Sequence, residues 1–152
     1  ERHGVGRPRF VYQLTDQGLE KFPSNYQKFT RYTLAELKNT FSNEQLTEIF
    51  QKIGKNLAQH TLNIDSSLPL EERLETLADQ LSADGYRISW KKDGTRLFLY
   101  SNNCPYHNLG QFHPEICRID EAMFSNALNR EVSHEQCIAK GDLRCVYVLD
   151  LN

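Results

Sequence analysis

The chain has 152 residues, 39% of them hydrophobic and 25% charged, with eight Phe, seven Tyr and one Trp to build a core. That supports one modest domain, or a domain with an appendage, that folds without disulfide staples. A net charge of −2 excludes a general polyanion binder, so any contact with nucleic acid falls to a local basic patch.

No run approaches the ~18 apolar residues of a membrane-crossing helix. Residues 1–5 lack the apolar core of a signal peptide, so the expected location is cytoplasmic, with no membrane partner. The only methionine is Met123, and the chain therefore reads as a fragment or processed form with an N-terminal part missing.

Residues 4–14 open with Gly4, Gly6 and Pro8, followed by alternation of Phe10, Tyr12 and Leu14 that predicts a short strand. Arg2, His3, Arg7 and Arg9 make this end locally basic. Thr15 is placed to cap a short helix over 16–21. Three helical stretches follow. Ser24 to Gln27 has a capping-box pattern, repeated from Thr33 to Glu36, which predicts a first helix with a break near 33. Ser42 to Gln45 opens the second, whose stripe is Leu46, Ile49, Phe50, Ile53 and Leu57. After a loop at 64–68, Pro69 starts the third, with Leu70, Leu74, Leu77 and Leu81 on one face and Gly85 as its stop.

Tyr86, Ile88 and Trp90 then alternate up to Asp93-Gly94, and 96–100 lead back, a tight-hairpin signature. A cysteine-bearing loop spans 101–114. A helix carrying Ile116, Ile119, Met123, Phe124 and Leu128 follows, then strands near 131–138 and 144–151 joined at Gly141-Asp142. The order predicts an α+β fold, its sheet mostly antiparallel and C-terminal.

The four cysteines run C-x12-C-x19-C-x7-C, all within 42 residues. Cys104 precedes Pro105 in a loop. Cys117 opens a helix, where the dipole favours a thiolate. Cys137 and Cys145 flank the Gly141-Asp142 turn. Convergence of the four on one metal centre is the favoured reading. Thiolates hold both iron–sulfur clusters and zinc, and the absence of C-x2-C knuckles favours a cluster. Disulfides and unrelated buried thiols stay open. Of the five histidines, His107 and His113 are the candidate replacement ligands, while Asp120 and Glu121 have proximity alone in their favour.

Residues 6–23, GRPRFVYQLTDQGLEKFP, resemble the wing and exit helix of ArsR/DeoR-type winged-helix regulators. Cys104-x12-Cys117 and Cys137-x3-Gly141-Asp142-x2-Cys145 resemble the SufR family, repressors of the suf genes for iron–sulfur cluster assembly. The resemblance implies a remnant wing at 1–22, then a helical dimerisation segment and a vinyl-reductase-like sensor domain over 23–152. It implies a homodimeric repressor, not an enzyme, whose cluster state ([4Fe–4S] or [2Fe–2S]) controls binding to operator DNA. Cys104, Cys117 and Cys145 match the family's typical ligand positions, with Cys137 as a fourth. Arg7 and Arg9 would contact DNA in the intact protein, since the recognition helix itself is absent here. No small-molecule substrate is implied. The alternative is a small-molecule-binding regulatory domain with the cysteines holding a structural zinc.

Overall fold

A computed structural model of the chain describes residues 10–19, 21 and 25–151. Helices α1 (Asp16–Leu19), α2 (Tyr26–Thr40), α3 (Asn43–Thr61) and α4 (Leu70–Ala83) precede a hairpin of β1 (Ile88–Asp93) and β2 (Arg96–Ser101). Then come α5 (His107–Gly110), a 3₁₀ turn at Pro114–Cys117, α6 (Arg118–Leu128), β3 (Ser133–Gln136), a second 3₁₀ turn at Ile138–Lys140, and β4 (Cys145–Asp150). The four strands form one antiparallel sheet in the order β1-β2-β4-β3.

Local signals set most of these bounds. Ser42 accepts from the Gln45 backbone amide while Gln45 Oε1 accepts from the Ser42 amide, so two otherwise unpaired donors of α3 are satisfied at its start. Helix α4 ends where Gly85 takes a positive φ of 85°. Helix α6 ends on Asn129, left-handed at φ 49°, and the buried Arg73 guanidinium donates to the Leu128 carbonyl. In the first hairpin Asp93 pairs with Arg96, so the two turn residues are Gly94-Thr95, one later than the Asp93-Gly94 expected. Gly94 supplies the one positive φ, 59°, and Thr95 has none, as a type II′ turn requires.

Helix α6 lies between α3 and the sheet. One side contributes Met123, Phe124 and Leu128 to a core shared with Leu74, Leu77 and Leu81 of α4 and with Leu97, Leu99, Tyr147 and Leu149 of the strands. The other side, with Ile116 and Ile119, joins a smaller cluster containing Leu34, Leu46 and Phe50. Cys117 and Tyr106 border both clusters.

Several sequence expectations are corrected. Residues 10–15 form no strand, and Phe10, Val11 and Tyr12 are exposed, because no neighbouring strand pairs with them among the described residues. The rest of the expected wing, with Arg7 and Arg9, lies outside the described residues. Helix α1 does form, and Thr15 Oγ1 accepts from the Gly18 amide. Helix α2 runs unbroken through Thr33, since Thr33 and Glu36 are tolerated on its exposed side. The helical segments 25–40 and 43–60, whose apolar stripes suit either a dimer surface or the chain's own core, place Leu34, Leu46, Phe50 and Ala58 in that core.

Gly54 fixes how near α3 and α6 come. A Cβ there would collide with the Ile119 carbonyl oxygen and crowd the Ala122 side chain. Because the obstruction is backbone, α6 itself would have to move. Gly54→Ala should therefore lower stability by about 2 kcal/mol, overpacking exceeding the ~1 kcal/mol that alanine gains in a helix. Urea denaturation checks this; a stabilised variant would refute the close-approach account.

Candidate metal centre

The sheet's inner face carries Cys145, Tyr147 and Leu149 from β4, and the pairing of His134 with Tyr147 puts that histidine on the same face. Strand alternation produces this arrangement. The His134 ring stacks on the Tyr147 ring, with centroids 4.3 Å apart and 14° between planes. Tyr147 in turn meets Phe124 edge-on at 4.8 Å. Cys137 follows β3, and its backbone is tied to the turn beyond. Its amide donates to Asp142 Oδ2 at 2.7 Å, and its carbonyl accepts from the amides of Lys140 and Asp142. Cys117 stands at the N-cap position of α6, with no side-chain hydrogen bond to the helix amides.

These elements bring the Sγ atoms of Cys117 and Cys137 to 3.4 Å. Ligand atoms of Cys117, His134 and Cys137 all lie within 4.8 Å of one another. Two thiolates on one tetrahedral ion with ~2.3 Å metal–sulfur bonds stand about 3.8 Å apart, so the spacing suits donors to a single metal atom. Cys145 Sγ accepts from the Ile138 amide at 3.4 Å. Its thiol, like that of Cys117, feels the charges of Cys104 and Cys137. Cys104 also feels Cys137. None is in a disulfide.

Burial pushes every shifted thiol upward: Cys104, Cys117 strongly, and Cys145 to about 11. Metal-free, these thiols are protonated at neutral pH. Burial lowers His134, which keeps the imidazole neutral and able to donate a lone pair. His134 Nε2 is buried and finds no hydrogen-bond partner among the described residues. A buried nitrogen without a partner is costly unless something occupies it, and a metal ion would.

Sequence reasoning passed over His134. His107 is exposed and sits beside Gln111, and His113 lies 3.7 Å from Glu115; neither belongs to the thiol group. The overlooked signal was His134-x2-Cys137, a short ligand spacing resembling one metal-binding knuckle. Asp120 and Glu121 serve otherwise. Glu121 pairs with Arg118 at 2.7 Å. Asp120 accepts from Tyr86 at 2.8 Å and from Tyr147 at 3.2 Å. It thereby anchors the ring on which His134 stacks.

The site opens to solvent through a cleft of 320 Å³ lined by Cys117, His134, Glu115, Arg118, Glu121 and Lys140. A larger cavity, 660 Å³, lies between α2 and α5 against Arg31, Tyr32, Tyr106 and Phe112, and contains none of the thiols.

Burial raises the Asp120 carboxyl to about 6, against the opposing pull of its two tyrosines. Unfolded, it ionises near 3.8. Between these values the unfolded chain has lost the proton that the folded chain keeps, so rising pH favours unfolding. In metal-free protein about 3 kcal/mol of stability present below pH 4 should be gone above pH 6. Urea denaturation across this range should show the decline in the wild type and not in Asp120→Asn; parallel profiles would refute it.

Comparison with known proteins revises the functional expectation. The chain is similar to the trafficking protein particle complex subunit 3 from Naegleria fowleri, whose crystal structure has palmitic acid covalently bound. The identity is 16%, coverage is 84% of this chain and 94% of that one, and the TM-score is 0.51. At that identity the likeness concerns the fold. Among curated proteins no sequence matches. The model of a family described as "Methanogen output domain 1" matches residues 16–150. That match takes in the residues read as exit helix, dimerisation segment and sensor. It overturns the SufR-type assignment and its iron–sulfur-sensing repression, and gives no support to operator DNA, a homodimer or the small-molecule alternative. The Cys…Gly-Asp…Cys hairpin that carried the resemblance is a local feature, whereas the family match spans the fold. The chain belongs to the methanogen output domain 1 family.

Proposed function

We propose that this output domain binds one thiophilic metal ion and that gain or loss of the ion is the event it passes on. Its role is binding, not catalysis. Cys117, Cys137 and His134 supply three donors, and Cys145 or Cys104 the fourth. The observation that carries the reading is the mutual approach of the first three within 4.8 Å, with His134 Nε2 buried and unpaired.

The donors come from different parts of the chain: Cys104 before α5, Cys117 at the start of α6, His134 in β3 and Cys137 just after it, Cys145 at the start of β4. One ion would tie these elements together, and its binding energy would add to the stability of that half of the fold. The buried Asp120, whose charge is felt at Cys104, Cys117 and Cys145, opposes thiolates but favours a cation among them. A second reading, an iron–sulfur centre, is favoured by two further thiols, Cys104 and Cys145, each of which feels the charge of Cys137. A [2Fe–2S] centre places two thiolates on each iron.

Titrating reduced protein anaerobically with cobalt(II) tests the reading. It predicts one equivalent bound with thiolate charge-transfer absorption, and a loss of affinity of at least about tenfold in Cys137→Ser and in His134→Ala. Affinity should fall as pH is lowered from 8 to 6, by about tenfold per unit for each thiol proton displaced. Binding without thiolate absorption, or untouched by Cys137→Ser, would overturn the proposal. An iron-containing, coloured native protein would favour the second reading.

A further inference from the structure

We infer that Cys117 and Cys137 are also a reversible modification site: they form a disulfide by exchange with small-molecule disulfides arriving through the cleft. Their sulfurs stand 3.4 Å apart, so bond formation at ~2.05 Å needs a combined shift of about 1.3 Å. The two differ in access. Cys117 is part of the cleft wall, whereas Cys137 is 4% exposed and does not line it. That asymmetry assigns the order of events.

Above neutral pH the small fraction of Cys117 that has lost its proton attacks one sulfur of the incoming disulfide, forming a mixed disulfide and releasing the other half as a thiolate. Cys137, as thiolate, then attacks Cys117 Sγ and displaces the second half. Two protein thiols are oxidised by two electrons, one external disulfide is reduced to two thiols, and the two protein protons pass to those leaving groups. The Cys137 backbone is held by Asp142 and Lys140, so most of the movement falls to the Cys117 side chain. Lys140 and Arg118 line the cleft beside Glu115 and Glu121, so a peptide disulfide carrying both signs of charge, such as glutathione disulfide, meets groups of both signs there.

The consequence rests on the metal reading above: a disulfide consumes two of the proposed ligands, so oxidised and metal-bound forms exclude one another. The chemistry itself does not depend on it.

The test treats reduced, metal-free protein with glutathione disulfide, alkylates the remaining thiols and maps bridges by mass spectrometry after non-reducing proteolysis. The expected product links Cys117 to Cys137, leaves Cys104 and Cys145 alkylated, and reverts with dithiothreitol. Cys137→Ser should stop at a Cys117–glutathione adduct, and Cys117→Ser should leave Cys137 alkylated and unbridged. Bridges through Cys104 or Cys145 instead, or four alkylated thiols, would overturn the inference. One equivalent of zinc should slow bridge formation at least about tenfold. If the bridge forms equally fast with zinc, the metal-ligand reading fails while the disulfide stands.

Discussion

The arrangement rests on the close approach of α3 and α6 at Gly54, where a side chain no larger than hydrogen lets the Ile119 backbone come against α3. This contact sets the depth of α6 over the sheet. The apolar core follows from it, because Met123, Phe124 and Leu128 reach Leu97, Leu99 and Leu149 only at that depth. The site follows too. Cys117 stands at the start of the same helix and Asp120 one turn in, so the placement of α6 decides whether they meet Cys137 and Tyr147.

A polar network is built into this apolar setting. Asp120 is 6% exposed, yet both its oxygens are engaged, one by Tyr86 and one by Tyr147. Tyr106 lies beside Tyr86, two residues after Cys104, and Tyr147 carries the His134 ring on its face. The carboxyl therefore touches both ends of the thiol region without being a ligand. A low local dielectric makes such a network costly when partly satisfied and rigid when complete. Within it, the unpaired His134 Nε2 is conspicuous.

Elements specified by local chemistry were legible in the sequence. The capping box at Ser42, the stripe of α4, the Gly85 stop and the α6 apolar positions appear where expected, and so does the α3 stripe apart from Ile53, which is exposed. The helix start at Cys117 and the Cys137–Cys145 turn were legible for the same reason. The misreadings share a cause: each needed information from a distant part of the chain. Alternation at Phe10, Tyr12 and Leu14 has the period of a strand, but a strand also needs a partner to hydrogen-bond, and none lies beside it among the described residues. The short α5 and the 3₁₀ turns around Pro114 and Ile138 are too brief to show any period. His134 looked ordinary because its role depends on β3–β4 pairing, which sets it over Tyr147 and beside Cys117. The resemblance to a cluster-binding repressor overreached in the same way, carrying a function from a local cysteine pattern to a fold that belongs elsewhere.

The central claim is that Cys117, Cys137 and His134 donate to one metal atom. X-ray absorption at the zinc edge, on reduced protein loaded with one equivalent, tests it most directly. The account predicts a first shell containing sulfur at ~2.3 Å together with one nitrogen at ~2.0 Å carrying the outer-shell signature of imidazole. A shell of oxygen and nitrogen alone would contradict it.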